Sequence, residues 1–186
     1  MQIMDAIYRR RAVRAFADEP VRTKIIEALI EAAVQAPSAM NLQPWTFTVV
    51  RDQRLLDRVS RGAKAHLLEN LPPGGGSHDF GAMLSDPDYQ MFHHAPVLVL
   101  ISATREGPWA IEDCSLAAEN LMLAACAHGL GSCWIGFAQS WLQMPEGKAA
   151  LDLPDACLPV APIVIGHPKS TPLPVERRPP QIHWLG

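Results

Sequence analysis

The segment from Ala36 to Phe47, termed the elbow below, concentrates residues that could contact a planar ligand. Asn41 and Gln43 can each donate and accept hydrogen bonds, which suits the mixed polar edge of a heteroaromatic ring, and Ser38 can do so more weakly. The same residue types shape turns and cap helices, so turn chemistry is the competing interpretation, above all for Ser38.

A run of arginines lies one predicted helix upstream of the elbow. Arg10 and Arg14 are four residues apart, so a helical continuation would place both on one face. Two guanidinium groups that converge there could bind a phosphate through paired hydrogen bonds. The alternative is a solvated basic surface near a helix C-terminus, where positive charge is favoured in any case. Together with the elbow, the run indicates a pocket for a planar ligand that carries a phosphate.

Three other groups of residues carry weaker signals. The glycine-rich segment 129–136 has no GxGxxG or P-loop pattern, although Gly136 in a strand-like run indicates close approach of the backbone to another group. His93 and His94 are adjacent and would point to opposite sides of an extended chain, so we expect no metal site. No base is nominated for Cys133, and we predict no catalytic side chain.

Composition and charge limit the classes of protein that the chain could represent. Its 186 residues, 48% of them hydrophobic, suit one domain over residues 1–186, and the net charge of -3 does not favour a nucleic-acid partner. The four cysteines show no metal-binding spacing, so we expect reduced thiols. Neither a signal peptide nor a membrane-length apolar segment is recognisable, which favours a cytoplasmic protein without a membrane partner.

Hydrophobic periodicity predicts the elements that must position these residues. The predicted helices are Ile3–Arg9, Val21–Gln35, Gln53–Arg61 and Glu112–His128, and the predicted strands are Thr46–Val50, Pro96–Ser102, Ser132–Phe137 and Val160–Gly166. Gly129 is placed to supply a left-handed helix cap.

Three regions depart from ordinary amphipathic patterns. The helix at 112–128 is apolar on nearly every side, which predicts burial all round and, in a chain this small, cover by a second subunit. Residues 70–94 lack periodicity and include a Pro- and Gly-rich stretch at 72–77, which predicts a mobile loop. The proline-rich tail from His167 predicts an extended arm that carries Arg177 and Arg178.

Taken together, these residues resemble the flavin (FMN)-dependent nitroreductase family through four motifs in order. The first is an Arg-Arg-Ser-x-Arg run followed by an aromatic residue, matched here at 10–16. The second, Ala-Pro-Ser-x-x-Asn-x-Gln-Pro-Trp, is matched at 36–45. The third is a buried helix that leads to a Gly-Leu-Gly-x-x-Trp-like strand, matched at 113–136, and the fourth is a basic position in the tail.

The resemblance implies an α+β fold with a mixed β-sheet flanked by helices, in an intertwined homodimer with an extended C-terminal arm. It also implies an FMN at each subunit interface, with Arg10, Arg14 and either Arg177 or Arg178 on the phosphate and with Arg11 and Ala12 along the cofactor. Further contacts to the ring system would come from Pro37, Ser38, Ala39 and Asn41 on one side and from Trp134, Ile135 and Gly136 on the other, with a backbone N–H directed at the reactive ring nitrogen.

The implied activity is a ping-pong oxidoreductase that uses NAD(P)H to reduce small planar acceptors such as nitroaromatics or quinones. The alternatives are a dehalogenase, a flavin-fragmenting enzyme, a non-catalytic flavin carrier or sensor, and a dimeric scaffold that has lost FMN. Two departures bear on the choice. Ala12 replaces the usual serine and removes a hydroxyl donor, and the long 70–94 segment puts the typical substrates in doubt.

Overall fold

The computed structural model describes residues 1–70 and 78–186, in which helices pack on both faces of one sheet. Seven α-helices occur in this described part: α1 Ile3–Arg9, α2 Thr23–Ala33, α3 Gln53–Glu69, α4 His78–Ser85, α5 Ala110–Ala127, α6 Gly136–Gln143 and α7 Pro145–Ala150. The strands are β1 Trp45–Val50, β2 Val97–Ala103, β3 Gly131–Trp134 and β4 Leu158–Gly166.

The strands form one antiparallel sheet in the order β1-β2-β4-β3, so β1 and β3 lie at opposite edges. The predicted α+β fold is confirmed. Parallel pairing within the described residues is limited to an isolated bridge between Ala12 and Ser132, beside β3. There the Val13 N–H donates to the Ser132 carbonyl at 3.0 Å. The segment after α1 therefore lies along the outer edge of β3.

The centre of the fold is β2, in which every side chain is buried. Val99 and Ile101 enter a core cluster that includes the buried faces of α2 and α5. Leu98 and Leu100 enter the cluster on the opposite face, which includes residues of α3 and α6. Burial on both faces explains the continuous apolar run, and the predicted strand is confirmed with its bounds moved by one residue.

The helix predictions are correct in type and less accurate in extent. The prediction for α1 is confirmed at both ends, whereas α2 begins at Thr23 because Arg22 has an extended backbone (φ -65°, ψ 139°). Helix α3 continues eight residues beyond the predicted end at Arg61. Gly62 lies inside the helix. Because glycine has no Cβ, the Trp141 indole of α6 can pack directly against the helix at this position.

The predicted strand at 132–137 is wrong in its second half. Strand β3 ends at Trp134, Ile135 has φ -97° and ψ 72°, and Gly136 is the first residue of α6. The argument from a glycine inside a strand therefore does not apply to Gly136. The chain turns here because the Ile135 N–H donates to the Pro162 carbonyl of β4 at 2.8 Å and Ala138 and Leu142 of α6 are fully buried.

The region at 70–94 contains a helix where none was predicted. Helix α4 occupies His78–Ser85, and its Leu84 is fully buried in the same cluster as Leu56 of α3. Tertiary packing therefore determines a helix that the local sequence pattern does not reveal. The mobile-loop prediction for 72–77 lies outside the described residues.

Helix α5 is buried on one side only within a single chain. Ala117, Ala118 and Leu121 are fully buried, but Leu116 is 45% exposed and Ile111 is 52% exposed. The neighbouring α1 adds exposed apolar side chains to this surface, namely Ile3, Met4, Ile7 and Tyr8. Residues 171–186 have no helix or strand and are almost entirely exposed. A single chain therefore does not bury α5 on every side, and the predicted cover by a second subunit stays a prediction.

Candidate functional site

The elbow is a tight turn built from unusual backbone conformations. Residues Ala39–Asn41 form a 3₁₀ turn, and Met40, Asn41 and Gln43 have φ values of 52°, 55° and 46°. Left-handed backbone at a non-glycine residue costs on the order of 1 kcal/mol, so surrounding contacts must stabilise this shape.

Those contacts use the polar residues that the sequence singles out. The Ser38 Oγ accepts a hydrogen bond from the Gln43 N–H at 2.9 Å, and the Gln43 Nε2 donates to the Asn41 Oδ1 at 2.9 Å. The Thr104 N–H donates to the Pro44 carbonyl at 2.7 Å at the start of β1. Turn chemistry, the competing interpretation, is thus what Ser38 performs in this structure.

Asp113, which the sequence does not single out as a candidate site residue, contacts the elbow. Asp113, in the first turn of α5, is only 4% exposed, and its Oδ1 accepts a hydrogen bond from the Ala39 N–H at 2.9 Å. The sequence shows Asp113 as one of two acids at a helix start, a position that helix electrostatics alone explains. Nothing in the local pattern reveals its partner, which lies 74 residues away.

The expectation that Arg10 and Arg14 share a helix face is wrong. Helix α1 ends at Arg9, and Arg10 has an extended backbone (φ -56°, ψ 129°), because the following residues align with the edge of β3. The Arg10 Nε lies 3.6 Å from the Glu119 Oε1 of α5. The Arg11 Nη1 donates to the Tyr8 and Arg10 carbonyls at 2.7 and 2.6 Å. The Arg10 and Arg11 side chains therefore have different partners, Glu119 for Arg10 and backbone carbonyls for Arg11.

Arg14 lies beside a group of titratable side chains that the sequence does not bring together. Burial raises the pKa of the Cys133 thiol, and the Arg14 guanidinium acts in the opposite direction. Burial also lowers the pKa of His93, and Arg14 lowers it further. The pKa of Tyr89 is raised by burial and lowered by Arg14.

The segment that carries Tyr89 and His93 is held against α3. The Lys64 Nζ donates to the Asp86 and Tyr89 carbonyls at 2.6 and 2.9 Å and lies 5.6 Å from the centre of the Tyr89 ring. His93 and His94 both have left-handed backbone, with φ of 55° and 51°, so the extended geometry assumed for them is incorrect. Among the described residues, no group of three or more potential metal ligands occurs.

Two open cavities adjoin the two parts of the site. One of about 760 Å³ is lined by Arg9, Arg10 and Arg11, by residues 129–132, and by the beginning of the tail. Another of about 640 Å³ lies beside the elbow and is lined by Met40, Leu42, Trp109, Arg105 and Asp113, among others.

Comparisons with known proteins agree with this architecture. The family model described as the nitroreductase family matches residues 7–167. The chain belongs to the nitroreductase family. It is 31% identical to a protein of Archaeoglobus fulgidus whose name is NADH dehydrogenase/NAD(P)H nitroreductase, over 90% of this chain and 86% of that protein. It is also 29% identical to a nitrobenzene nitroreductase of Ectopseudomonas oleovorans, over 88% of this chain and 86% of that protein.

The fold also matches that of a solved structure from the family. A nitroreductase of Bacteroides fragilis with bound FMN superposes with a TM-score of 0.86 and 26% identity, over 100% of both chains. The family match ends at His167, so Arg177 and Arg178 lie beyond it, and both are exposed in the structure. Within the described part of the chain, no helix combines the length and apolar character needed to cross a membrane.

The predicted contact residues divide into two groups by their place in the fold. Ala12 pairs with Ser132, and Arg14 lies beside Cys133, so the arginine run and segment 134–136 share the β3 edge. The elbow precedes β1 at the other edge. Three strand spacings of about 4.8 Å separate β1 from β3, which corresponds to roughly 14 Å. Within one chain the two groups therefore lie at opposite edges of the sheet.

Proposed function

We propose that this protein is an FMN-dependent oxidoreductase that takes electrons from NAD(P)H and passes them to small planar acceptors, such as nitroaromatics or quinones, by a ping-pong mechanism. The observation that carries the proposal is the full-length likeness to the FMN-bound nitroreductase of Bacteroides fragilis. The names of the Archaeoglobus fulgidus and Ectopseudomonas oleovorans relatives support the electron donor and the nitroaromatic acceptor.

The residues at the β3 edge fit a phosphate-bearing flavin. The Arg11 Nε is buried and has no hydrogen-bond partner among the described residues, which leaves a donor for an anion. A Cβ at Gly136 would meet no atom within 4 Å, so the space beside this residue is open. Gly136 also begins α6, and the positive end of the helix dipole at this terminus favours a negatively charged ligand.

We infer that two copies of the chain complete each site. The β3 edge of one copy would supply Arg10, Arg11, Ala12, Arg14 and segment 134–136, and the elbow of the other copy would supply Pro37, Ser38, Ala39 and Asn41. The 14 Å separation within one chain and the uncovered apolar surface of α1 and α5 both support this arrangement. Arg177 or Arg178 would reach the phosphate from the exposed tail.

The chain's own contribution is binding, orientation and charge. Bound FMN would supply the hydride and electron transfer chemistry. Positive charge at Arg14 and the helix dipole at the start of α6 would stabilise negative charge on the bound ligand. The apolar walls of the cavity beside the elbow, formed by Met40, Leu42 and Trp109, would accept a planar molecule next to the ring. No side chain is required as an acid or a base.

Stopped-flow mixing of the FMN-loaded protein with NADH or NADPH tests the proposal. We expect loss of the visible absorbance of the oxidised flavin, followed by its return when a nitroaromatic or quinone is added. A flavin that neither donor reduces would contradict the oxidoreductase assignment and favour a carrier or sensor. A chain that retains no FMN would favour a scaffold.

A further inference from the structure

Asp113 occupies an unusual position for a charged residue. Among the described residues it is the only buried side chain that carries a formal charge, since the other buried polar side chains are Ser60, Ser102 and Ser132. A buried carboxylate requires hydrogen-bond partners to offset its loss of hydration. The partner that the structure provides is the backbone N–H of Ala39, across a separation of 74 residues.

The other end of this hydrogen bond enters a segment with strained backbone. Of the four residues after Ala39, Met40, Asn41 and Gln43 have left-handed backbone. Met40 is 91% exposed, so its own side-chain packing cannot hold this conformation. The hydrogen bond of the Thr104 N–H to Pro44 holds the opposite end of the turn. Asp113 therefore holds the beginning of the turn through its hydrogen bond to the Ala39 N–H.

The chemistry of the contact suits a rigid anchor. A hydrogen bond from a backbone N–H to a carboxylate is about twice as strong as one between neutral groups. Asp113 lies in the first turn of α5, where the helix favours negative charge, and α5 itself packs in the core. Asp113 therefore ties the start of the turn to α5, and the Thr104 N–H holds its end beside the sheet.

We propose that Asp113 is a positioning residue that fixes the elbow in its ligand-binding shape through the Ala39 N–H. This inference rests on the proposed function, because it assumes that the elbow contacts the flavin ring. Asp113 itself does not need to touch the cofactor. It would act by preventing Met40 and Asn41 from relaxing to right-handed backbone before the flavin binds.

The first test is hydrogen exchange in the flavin-free wild-type protein. We expect the Ala39 amide to exchange at least about tenfold more slowly than the amide of the exposed Met40, because it is bonded to a buried carboxylate. Equal exchange at the two amides would overturn the proposal without any substitution, whether or not the protein binds FMN.

The second test compares Asp113→Ala, Asp113→Asn and the control Glu112→Ala in exchange and in titration with FMN. We expect Asp113→Ala to remove the protection of Ala39 and to weaken FMN binding about tenfold. Asp113→Asn retains an acceptor oxygen and should stay within about threefold of the wild type. Glu112 is exposed on the same turn of α5, and its loss should change neither quantity.

A double variant separates positioning from a general loss of stability. Glycine adopts positive φ without a steric penalty, so adding Met40→Gly to Asp113→Ala should restore FMN affinity to within about threefold of the wild type. Absence of any recovery would overturn the positioning role. If the wild type binds no FMN, the proposed function fails, while the exchange experiment still decides whether Asp113 anchors the elbow.

Discussion

At the residue scale, the motifs can be recognised in the sequence, but the geometry of their residues cannot. The elbow carries the predicted polar side chains, yet Ser38 and Asn41 use an oxygen each within the turn. The arginine run adjoins β3 as an extended segment, so the assumption of a shared helical face failed. Hydrogen-bond partners distant in sequence, such as Asp113 and Ala39, have no local signature from which they could be predicted.

The first residue-scale prediction concerns Arg14. Because its guanidinium lies at the β3 edge and is exposed, Arg14→Ala should weaken FMN retention about tenfold through loss of a charge-assisted contact. Equilibrium dialysis with FMN measures the effect. Arg58→Ala, at an exposed position on α3, is the matched control and should bind FMN as the wild type does. Unchanged retention in Arg14→Ala would remove this residue from the proposed site.

The second residue-scale prediction concerns pH. Burial and the neighbouring Arg14 and His94 lower the pKa of His93 from 6.5. The unfolded chain therefore binds a proton at a pH where the folded chain does not, so the His93 contribution destabilises the fold as pH falls below about 6.5. His93→Gln should lose less stability than the wild type between about pH 7 and 5 in urea unfolding. Parallel pH profiles for the two proteins would contradict this assignment.

At the element scale, buried strands were predicted well and transitions were predicted poorly. The apolar run of β2 marks a strand buried on both faces, and its bounds moved by one residue. The run at 132–137 is equally strand-like, but it changes to helix at Gly136 because α6 packs against β4 and α3. Such packing is a tertiary effect, which a local pattern does not contain.

Gly62 provides a prediction at this scale. A Cβ at this position would overlap the Trp141 indole, so Gly62→Ala should destabilise the contact of α3 with α6 by about 1–3 kcal/mol. The matched change Gly81→Ala in α4 meets no atom within 4 Å and should stabilise by about 0.5–1 kcal/mol. Urea unfolding of both variants measures the difference. A Gly62→Ala protein as stable as the wild type would show that the indole can move aside freely.

At the scale of the whole molecule, the proposed composite site depends on a second copy of the chain. Leu116 is a 45% exposed apolar residue on α5, within the uncovered surface. Leu116→Arg should therefore prevent dimer formation and lower the FMN content together, as measured by light scattering and absorbance. Leu68→Arg, at a 39% exposed position on α3, is the control and should affect neither. A Leu116→Arg dimer with full FMN content would place the interface elsewhere.

Whether the protein carries FMN is decided by the visible absorbance spectrum of the freshly purified protein, with the flavin released by denaturation and quantified. The proposed function predicts a yellow protein that releases about one FMN per chain, because each of two equivalent sites in a dimer would hold one cofactor. A colourless protein that also fails to take up added FMN would leave the nitroreductase fold intact and contradict the assignment of a flavin-dependent oxidoreductase.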